Sequence, residues 1–212
     1  MAETYLRRSA LAHLGLRGRA DATEAAQRAT AGVRMSERPH RCRILLRGRA
    51  DDARFRDAIR GTTGLNLPEA NRVARTGDLR MLWLGPDEWL LIGPSGREAV
   101  SMPALIAALS GQYAMAIDQS DMRTTISLAG RSARDLINCG CGLDLHPDRF
   151  APGQCAQTGL ARANVILERT GSGQTDEELR FDLHVAISYA DYLWQWLERA
   201  GAEFGVAVEE DA

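Results

Sequence analysis

The chain has 212 residues, enough for one large domain or two small ones with a buried hydrophobic core. Its formal net charge of −2 and its ordinary apolar share of 45% give it no general attraction to nucleic acid or to an anionic membrane surface. It contains no lysine, so Schiff-base chemistry and a P-loop lysine are excluded.

Cysteine spacing and the N-terminal residues indicate a cytoplasmic protein. Cys42, Cys139, Cys141 and Cys155 form no Cys-x-x-Cys pair, and the N-terminus lacks the apolar run and cleavage site of a secretory signal. Ser, Pro and Gly interrupt the longest uncharged run, 99–117, so it is not expected to span a membrane. We therefore expect free thiols in a reducing cytoplasm.

Residues 1–40 differ in composition from the rest of the chain. They are rich in Ala and Arg and hold few large apolar residues apart from scattered leucines. Thr23–Thr30 could form a short helix. Two interpretations of this N-terminal arm remain, namely that it is disordered or, as we favour, that it becomes ordered on a partner protein.

Residues 41–112 alternate between strands and helices. Leu79–Gly93 is the clearest element, because two apolar runs flank the turn sequence Gly-Pro-Asp-Glu that contains Asp87. Its arms do not alternate between apolar and polar residues, so both faces of this hairpin should be covered, with Trp83 and Trp89 close across the turn. The other predicted elements are a strand Cys42–Leu46, a helix Ala53–Arg60, a strand Arg72–Thr76 and a helix started by Ser101 and Pro103.

Residues 113–205 also alternate between predicted strands and helices. Met115–Ala129 is strand-like with a polar break at Asp118–Asp121. The elements predicted after it are a helix Arg131–Asn138, hairpin strands Cys155–Leu160 and Asn164–Arg169, a polar loop Gly171–Glu178, a strand Phe181–Ile187 and a final helix capped by Ser188 with Asp191. Residues 206–212 are expected to form a frayed acidic tail.

An internal repeat supports this division. In both halves a strand ends at Gly, a helix follows, and a Gly-Leu-(Asn/Asp)-Leu stretch leads to a proline, Pro68 or Pro147. The spacing of about 80 residues is too long for a solenoid unit. We therefore predict an α+β fold of two side-by-side split β-α-β (ferredoxin-like) repeats with antiparallel sheets, at residues 41–112 and 113–205.

No set of residues has the spacing of a common catalytic or metal site. Cys139, Cys141, His146 and Cys155 do not match a zinc site, and Cys141 as a nucleophile would have only His146 as its base. The other histidines, His184 among them, are scattered and are interpreted as solvated or structural. We expect no catalytic, cofactor-binding or metal-binding residue in this chain.

Polar residues at two places could contact a ligand or a partner. Asp118, Ser120, Asp121 and Arg123 interrupt a predicted strand, either as a bulge or crossing between the repeats or as a contact site. Five arginines within residues 38–49 indicate a solvated face or an acidic partner. No aromatic residues accompany them, which argues against nucleic acid.

The last helix offers a further contact candidate. The residues expected on its buried face are Tyr189, Leu193, Trp196, Leu197 and Ala200. Trp194 points away from that face, and an exposed Trp is a good interface anchor. We predict a partner contact at Trp194, and also at Asp87 on the hairpin turn.

Seven stretches, taken in chain order, carry a family resemblance. They are GLNLP (64–68), LGPDEWLL (84–91), DQSD-x-RT (118–124), LDLHP (143–147), F-x-PG (150–153), CAQT (155–158) and SYADYLW (188–194). Together they resemble the gamma subunit of heterotetrameric sarcosine oxidase over residues 41–205. Residues 118–136 also resemble a segment of the folate-binding aminomethyltransferases.

The resemblance implies an aminomethyltransferase-like fold without the C-terminal barrel. It implies a non-catalytic subunit that docks on the alpha subunit of a flavoenzyme, with beta and delta subunits, and the complex would oxidatively demethylate sarcosine. FAD, FMN, NAD and tetrahydrofolate would be held by the other subunits. N-methylglutamate dehydrogenase has a similar subunit composition and remains an alternative, as does a free-standing folate-binding protein.

Overall fold

The computed structural model describes residues 7–171 and 179–210. Most of the predicted polar loop Gly171–Glu178 and the last two residues of the predicted tail lie outside these ranges. No helix within the described ranges combines the length and hydrophobicity needed to cross a membrane.

The described part of the chain contains eleven strands and six α-helices. The strands are β1 (Val33–Arg38), β2 (Cys42–Arg47), β3 (Val73–Thr76), β4 (Leu79–Gly85), β5 (Glu88–Gly93), β6 (Met115–Asp118), β7 (Arg123–Ala129), β8 (Cys155–Leu160), β9 (Ala163–Arg169), β10 (Arg180–Ala186) and β11 (Val206–Val208). The helices are α1 (Leu16–Ala22), α2 (Ala25–Thr30), α3 (Ala53–Thr63), α4 (Glu98–Ala108), α5 (Ala133–Asn138) and α6 (Ile187–Gly201).

The strands form a five-stranded and a six-stranded sheet that pack face to face. Their orders are β3-β4-β5-β2-β6 and β11-β1-β7-β10-β9-β8. Leu45 and Leu90 of the first sheet meet Ile166 of the second in the layer between them. α3 and α4 pack on the outer face of the five-stranded sheet, and α5 and α6 pack on the outer face of the six-stranded sheet. Apolar contacts therefore fill the space outside each sheet and part of the space between them.

Each half of the chain has the predicted ferredoxin-like arrangement. The series β2-α3-β4-β5-α4-β6 gives the strand order β4-β5-β2-β6, with β3 added at the edge. In the second half β7, β9 and β10 repeat this order, with β8 at the edge. Within each of these series the neighbouring strands are antiparallel. The predicted α+β fold with antiparallel sheets is confirmed.

The chain crosses from one sheet to the other twice. β1 pairs with β7 in the six-stranded sheet, and β6 pairs with β2 in the five-stranded sheet. Residues 39–41 and 119–122 carry the chain from one sheet to the other. The predicted boundaries after residues 40 and 112 are therefore wrong, because β1 lies before the first and β6 lies after the second.

The predicted arm and tail both contribute to the core of the six-stranded sheet. Val33 and Met35 of β1 are buried, and so is Val208 of β11, which pairs in parallel with β1. Leu11 and Ala20 are buried in the same core. The prediction of an arm that is disordered or becomes ordered on a partner is therefore wrong for residues 7–40. The prediction of a frayed tail is wrong for residues 206–208. These short strands are buried by partners that are distant in sequence. The local composition therefore does not reveal their burial.

The Leu79–Gly93 hairpin forms as predicted, as β4 and β5. Trp83 and Trp89 are register partners across it. Met81 faces the helices and Leu82 faces the other sheet, and both are 0% exposed, so both faces of the hairpin are covered. Trp89 also packs on Phe55 of α3, with ring centroids 5.6 Å apart.

The N-terminus of α6 differs from the prediction. Its N-cap is Ala186, and no side chain caps it, so Ser188 lies inside the helix. Asp191, the expected capping partner of Ser188, contacts other residues. Its Oδ1 lies 2.9 Å from Nε2 of His13, and its Oδ2 accepts a hydrogen bond from Gln195. Asp191 therefore helps to hold the N-terminal residues against α6.

Trp194 is fully buried, so the prediction that it is an exposed interface anchor is wrong. The buried face of α6 consists of Ala190, Leu193, Trp194, Leu197 and Gly201. This face is rotated from the predicted one, because Tyr189 is 48% exposed and Trp196 is only partly buried. The helix is rich in aromatic residues, so two neighbouring faces both have helical apolar spacing.

Replacing Trp194 with Ala should therefore destabilise the fold. Truncating a fully buried Trp removes its apolar contacts and leaves a cavity, at a cost of about 3–5 kcal/mol. Urea unfolding of the isolated chain measures this cost. Tyr192→Ala, at a 37% exposed position of the same helix, is the control and should cost less than about 1 kcal/mol. Equal stability of the two variants would contradict the buried position of Trp194.

Candidate functional site

A cluster of polar side chains lies in the layer between the sheets, beside its apolar part. We call it the polar cluster, and its members are Arg38, Arg43, Arg75, Arg80, Thr125, Glu168, Asp182 and His184. Glu168, Asp182 and His184 are each 0% exposed. Buried polar groups destabilise a protein unless they are paired, so the contacts of these three residues offset the cost of burying them.

Arginines neutralise the two buried carboxylates. Arg80 Nη2 lies 2.9 Å and Arg38 Nη1 lies 3.3 Å from Oδ2 of Asp182. Arg75 Nη2 lies 2.5 Å from Oε1 of Glu168. Burial raises the pKa of Glu168, and the charges of Arg80 and Arg75 oppose that rise. Arg75 and Arg80 belong to the five-stranded sheet and the carboxylates to the six-stranded sheet, so these ion pairs join the two sheets.

His184 is held as a neutral imidazole. Its Nε2 lies 3.1 Å from Oε2 of Glu168, and its Nδ1 lies 2.9 Å from Oγ1 of Thr125. The contact with the Glu168 carboxylate fits an N–H donor at Nε2, which leaves Nδ1 to accept a hydrogen bond from the Thr125 hydroxyl. Arg43 donates to the same hydroxyl oxygen at 2.7 Å. Complete burial lowers the pKa of His184 well below its usual value, and the charge of Arg80 lowers it further.

The order hydroxyl, imidazole, carboxylate resembles a catalytic triad, but burial prevents such a use. Thr125, His184 and Glu168 are each 0% exposed, so none of them contacts solvent or could meet a substrate. The interpretation of His184 as a solvated residue is wrong, and its interpretation as a structural residue agrees with its buried position. Arg43 and Arg38, expected on a solvated basic face, instead belong to this buried layer.

Within residues 7–171 and 179–210, one group of side chains has donor atoms close enough together to hold a metal ion, within 4.8 Å of one another. These are Glu168, Asp182 and His184 of the polar cluster. Their donor atoms already contact arginines or a hydroxyl, and the guanidinium charges around them would repel a cation. The donor set therefore does not fit a metal.

The cysteines and the histidine considered as zinc ligands do not converge. Cys139 is exposed at the end of α5, and Cys155 is fully buried between the sheets. Burial raises the pKa of the Cys155 thiol to about 12, which keeps it protonated. Cys141 Sγ lies 3.6 Å from the hydroxyl of Thr158, which is not a base. His146 is exposed and lies beside Asp148.

The polar break at Asp118–Asp121 is the crossing between the two repeats. Asp118 Oδ1 accepts hydrogen bonds from the backbone N–H of Ser120 at 2.9 Å and from its hydroxyl at 2.6 Å. Ser120 Oγ in turn accepts from the backbone N–H of Arg43 at 3.1 Å. Ser120 is 3% exposed and holds the crossing against β2, whereas Asp121 is exposed and pairs with Arg7 at 2.9 Å.

Arg123 begins β7 immediately after this crossing. It is partly buried and lines a cleft of about 300 Å³ together with residues of β8 and β9. Desolvation lowers the pKa of Arg123, and the charge of Glu88 acts in the opposite direction. The predicted contact site at Asp118, Ser120, Asp121 and Arg123 stays a prediction.

A surface lies along β6, and of its residues the sequence had predicted a partner contact only at Asp87. β6 is an edge strand of its sheet among the described strands. Tyr113 is 97%, Met115 49% and Ile117 41% exposed. At the end of β6 nearest the hairpin turn, Asp87 Oδ2 lies 3.0 Å from Arg47 Nη2. We call these five residues the β6 edge surface. Its signal in the sequence was the alternation of Met115 and Ile117 in a run without charges.

Acid should destabilise the chain because the polar cluster keeps His184 neutral. In the unfolded chain this imidazole has its usual pKa near 6.5 and binds a proton that the folded chain does not accept. The resulting stability is present above that pH and is lost as the pH falls below it, by up to about 1.4 kcal/mol per pH unit.

Urea unfolding at several pH values between neutrality and about pH 5.5 measures this loss. His184→Gln should lose less stability over that range than the wild type. His146→Gln, at an exposed position, is the matched control and should keep the wild-type slope. The same slope in all three proteins would contradict the neutral, buried state of His184.

Relatives in sequence cover nearly the whole chain. A model of the family described as "Sarcosine oxidase, gamma subunit family" matches residues 47–203. Sarcosine oxidase subunit gamma of Corynebacterium sp. (strain P-1) is 32% identical over 207 residues, which are 95% of this chain and 93% of that protein. The subunit of the same name from Corynebacterium sp. (strain U-96) is 33% identical over 213 residues, 96% and 94% of the two chains.

Solved structures agree with these relatives. A chain in heterotetrameric sarcosine oxidase from Corynebacterium sp. U-96, in complex with pyrrole 2-carboxylate, matches with a TM-score of 0.81 and 28% identity over 96% of this chain and 98% of that chain. The glycine cleavage system aminomethyltransferase T of Bartonella henselae matches with a TM-score of 0.69 and 15% identity, over 97% of this chain and 60% of that chain. This second likeness shows a shared fold and confirms the predicted aminomethyltransferase-like architecture. The chain therefore belongs to the sarcosine oxidase gamma subunit family.

Proposed function

We propose that this chain is the non-catalytic gamma subunit of a heterotetrameric sarcosine oxidase-type flavoenzyme, and that it docks on the alpha subunit. The observation that carries the proposal is that the reactive polar residues are buried while an apolar strand edge is exposed. Thr125, His184 and Glu168, whose chemistry could serve catalysis, are sealed between the sheets, whereas β6 exposes an apolar edge. Similarity to gamma subunits over almost the whole chain supports membership of such an assembly.

In this proposal the other subunits perform the chemistry. The complex oxidatively demethylates sarcosine to glycine and transfers the one-carbon unit to tetrahydrofolate in the alpha subunit. FAD, FMN and NAD are held outside this chain, and beta and delta subunits complete the assembly. The four cysteines are free, which supports a cytoplasmic location for the complex.

The β6 edge surface has the properties of a docking site. The outer side of an edge strand presents backbone N–H and C=O groups without a sheet partner. Met115 and Ile117 offer apolar area beside Tyr113, and tyrosines are frequent anchors at the centre of interfaces. Asp87 and Arg47 supply the polar rim. We infer that the alpha subunit covers this surface.

Co-expression of the affinity-tagged chain with its three companion subunits should yield one complex that carries flavin. The isolated chain should neither oxidise sarcosine nor bind tetrahydrofolate in calorimetry, because Thr125, Glu168 and His184 are buried. Turnover or folate binding by the isolated chain would contradict the non-catalytic role. A tagged chain that elutes alone after co-expression would contradict the docking role.

Substitution at the β6 edge surface should weaken the complex without unfolding the chain. Tyr113→Ala and Met115→Glu should each raise the dissociation constant by about 30-fold, the effect of an interface residue worth about 2 kcal/mol. Mass photometry of the diluted complex measures dissociation, and thermal unfolding of the isolated chain checks the fold. Tyr189→Ala, on the outer face of α6, is the control. Wild-type dissociation in both edge variants would place the interface elsewhere.

A further inference from the structure

Arg123 is held in a cleft without a counterion in contact. Its side chain makes no hydrogen bond and no ion pair with any residue of 7–171 or 179–210. The arginines of the polar cluster differ, since Arg80, for example, lies 2.9 Å from Asp182. Removing a guanidinium from water without a partner costs free energy, and burial accordingly lowers the pKa of Arg123. Among the described residues, the charge of Glu88 is what opposes this cost, and it acts from beyond contact distance.

The cleft has room and a suitable lining for a side chain. It measures about 300 Å³ and lies between the start of β7 and the strands β8 and β9. Ile166 on its lining continues the apolar layer between the sheets. Gly159 leaves open space, because a Cβ added there would meet no atom within 4 Å. Of the described residues on this lining, Arg123 is the charged one, among apolar and neutral polar neighbours.

Glu88 connects the cleft to the β6 edge surface through neighbouring strands. Glu88 is the carboxylate whose charge acts on Arg123 from beyond contact distance. Glu88 is the register partner of Arg47, and Arg47 is the register partner of Met115. Register partners on adjacent strands present their side chains on the same face of a sheet, about 5 Å apart. Glu88 is therefore near enough for its charge to act on Arg123, and it shares a face of the five-stranded sheet with Arg47 and Met115.

We propose that Arg123 binds an acidic side chain of the partner subunit that covers the β6 edge surface. The planar guanidinium accepts a carboxylate in a two-pronged hydrogen-bonded pair, which suits a single partner residue. The apolar lining at Ile166 suits the hydrocarbon stem of an Asp or Glu better than a small hydrated anion. This inference rests on the proposed function and adds the kind of partner residue that the surface recognises.

Dissociation of the co-expressed complex tests the inference. The Arg123→Gln complex should dissociate at a concentration at least about tenfold higher than the wild type, and its affinity should depend less on salt. Arg123→Lys keeps the charge without the two-pronged geometry, so its complex should dissociate at a concentration between those of the wild type and Arg123→Gln. Arg162→Gln, which removes an exposed arginine at the β8–β9 turn, is the matched control and should behave as wild type.

The stability of the isolated chain separates docking from a structural role. Because Arg123 has no contact partner among the residues that the structure describes, Arg123→Gln should unfold at the same temperature as the wild type or at a higher one. A lower unfolding temperature would show that Arg123 serves the fold and would overturn the inference. So would equal dissociation of the wild-type and Arg123→Gln complexes. A wild-type chain that forms no complex would instead overturn the proposed function, and this inference with it.

Discussion

The structure depends on the burial of two carboxylates and an imidazole between its two sheets. Each carboxylate of the polar cluster is paired with an arginine from the opposite sheet, as in the contact between Arg80 and Asp182. Leaving a buried charge of this kind without its partner costs about 3–5 kcal/mol, so a shift of one sheet that breaks these pairs is unfavourable. Apolar contacts around Leu45 and Ile166 then fill the rest of the layer. The cluster fixes how the two repeats face each other.

The two crossings between the sheets join the repeats into a single body. They also determine where the proposed interface lies. β1 completes the sheet of the second repeat, and β6 completes the sheet of the first. β6 is thereby left at an edge, with Met115 and Ile117 on its exposed face. The crossing that follows β6 leads directly to Arg123, which lines the cleft with residues of β8 and β9. One topological feature thus joins the fold to the surface that we propose for docking.

Much of the fold follows from local sequence patterns, and the rest depends on distant partners. The Leu79–Gly93 hairpin and the repeated strand–helix order were predictable because turn chemistry and periodicity are local. β1 and β11 were missed because their burial comes from strands far away in sequence. Trp194 was misplaced because two apolar faces compete on one aromatic-rich helix. Asp182 and His184 alternate with apolar residues along β10, a pattern that assigns polar residues to solvent unless a second sheet covers them.

The central claim is that this chain works through an exposed edge while its reactive side chains serve only the fold. Hydrogen–deuterium exchange of the free chain and of the intact complex tests it most directly. The account predicts that amides of Met115–Asp118 and the start of β7 exchange more slowly in the complex, while those on the outer side of α6 do not change. Unchanged exchange along β6, with new protection on α6, would contradict the account.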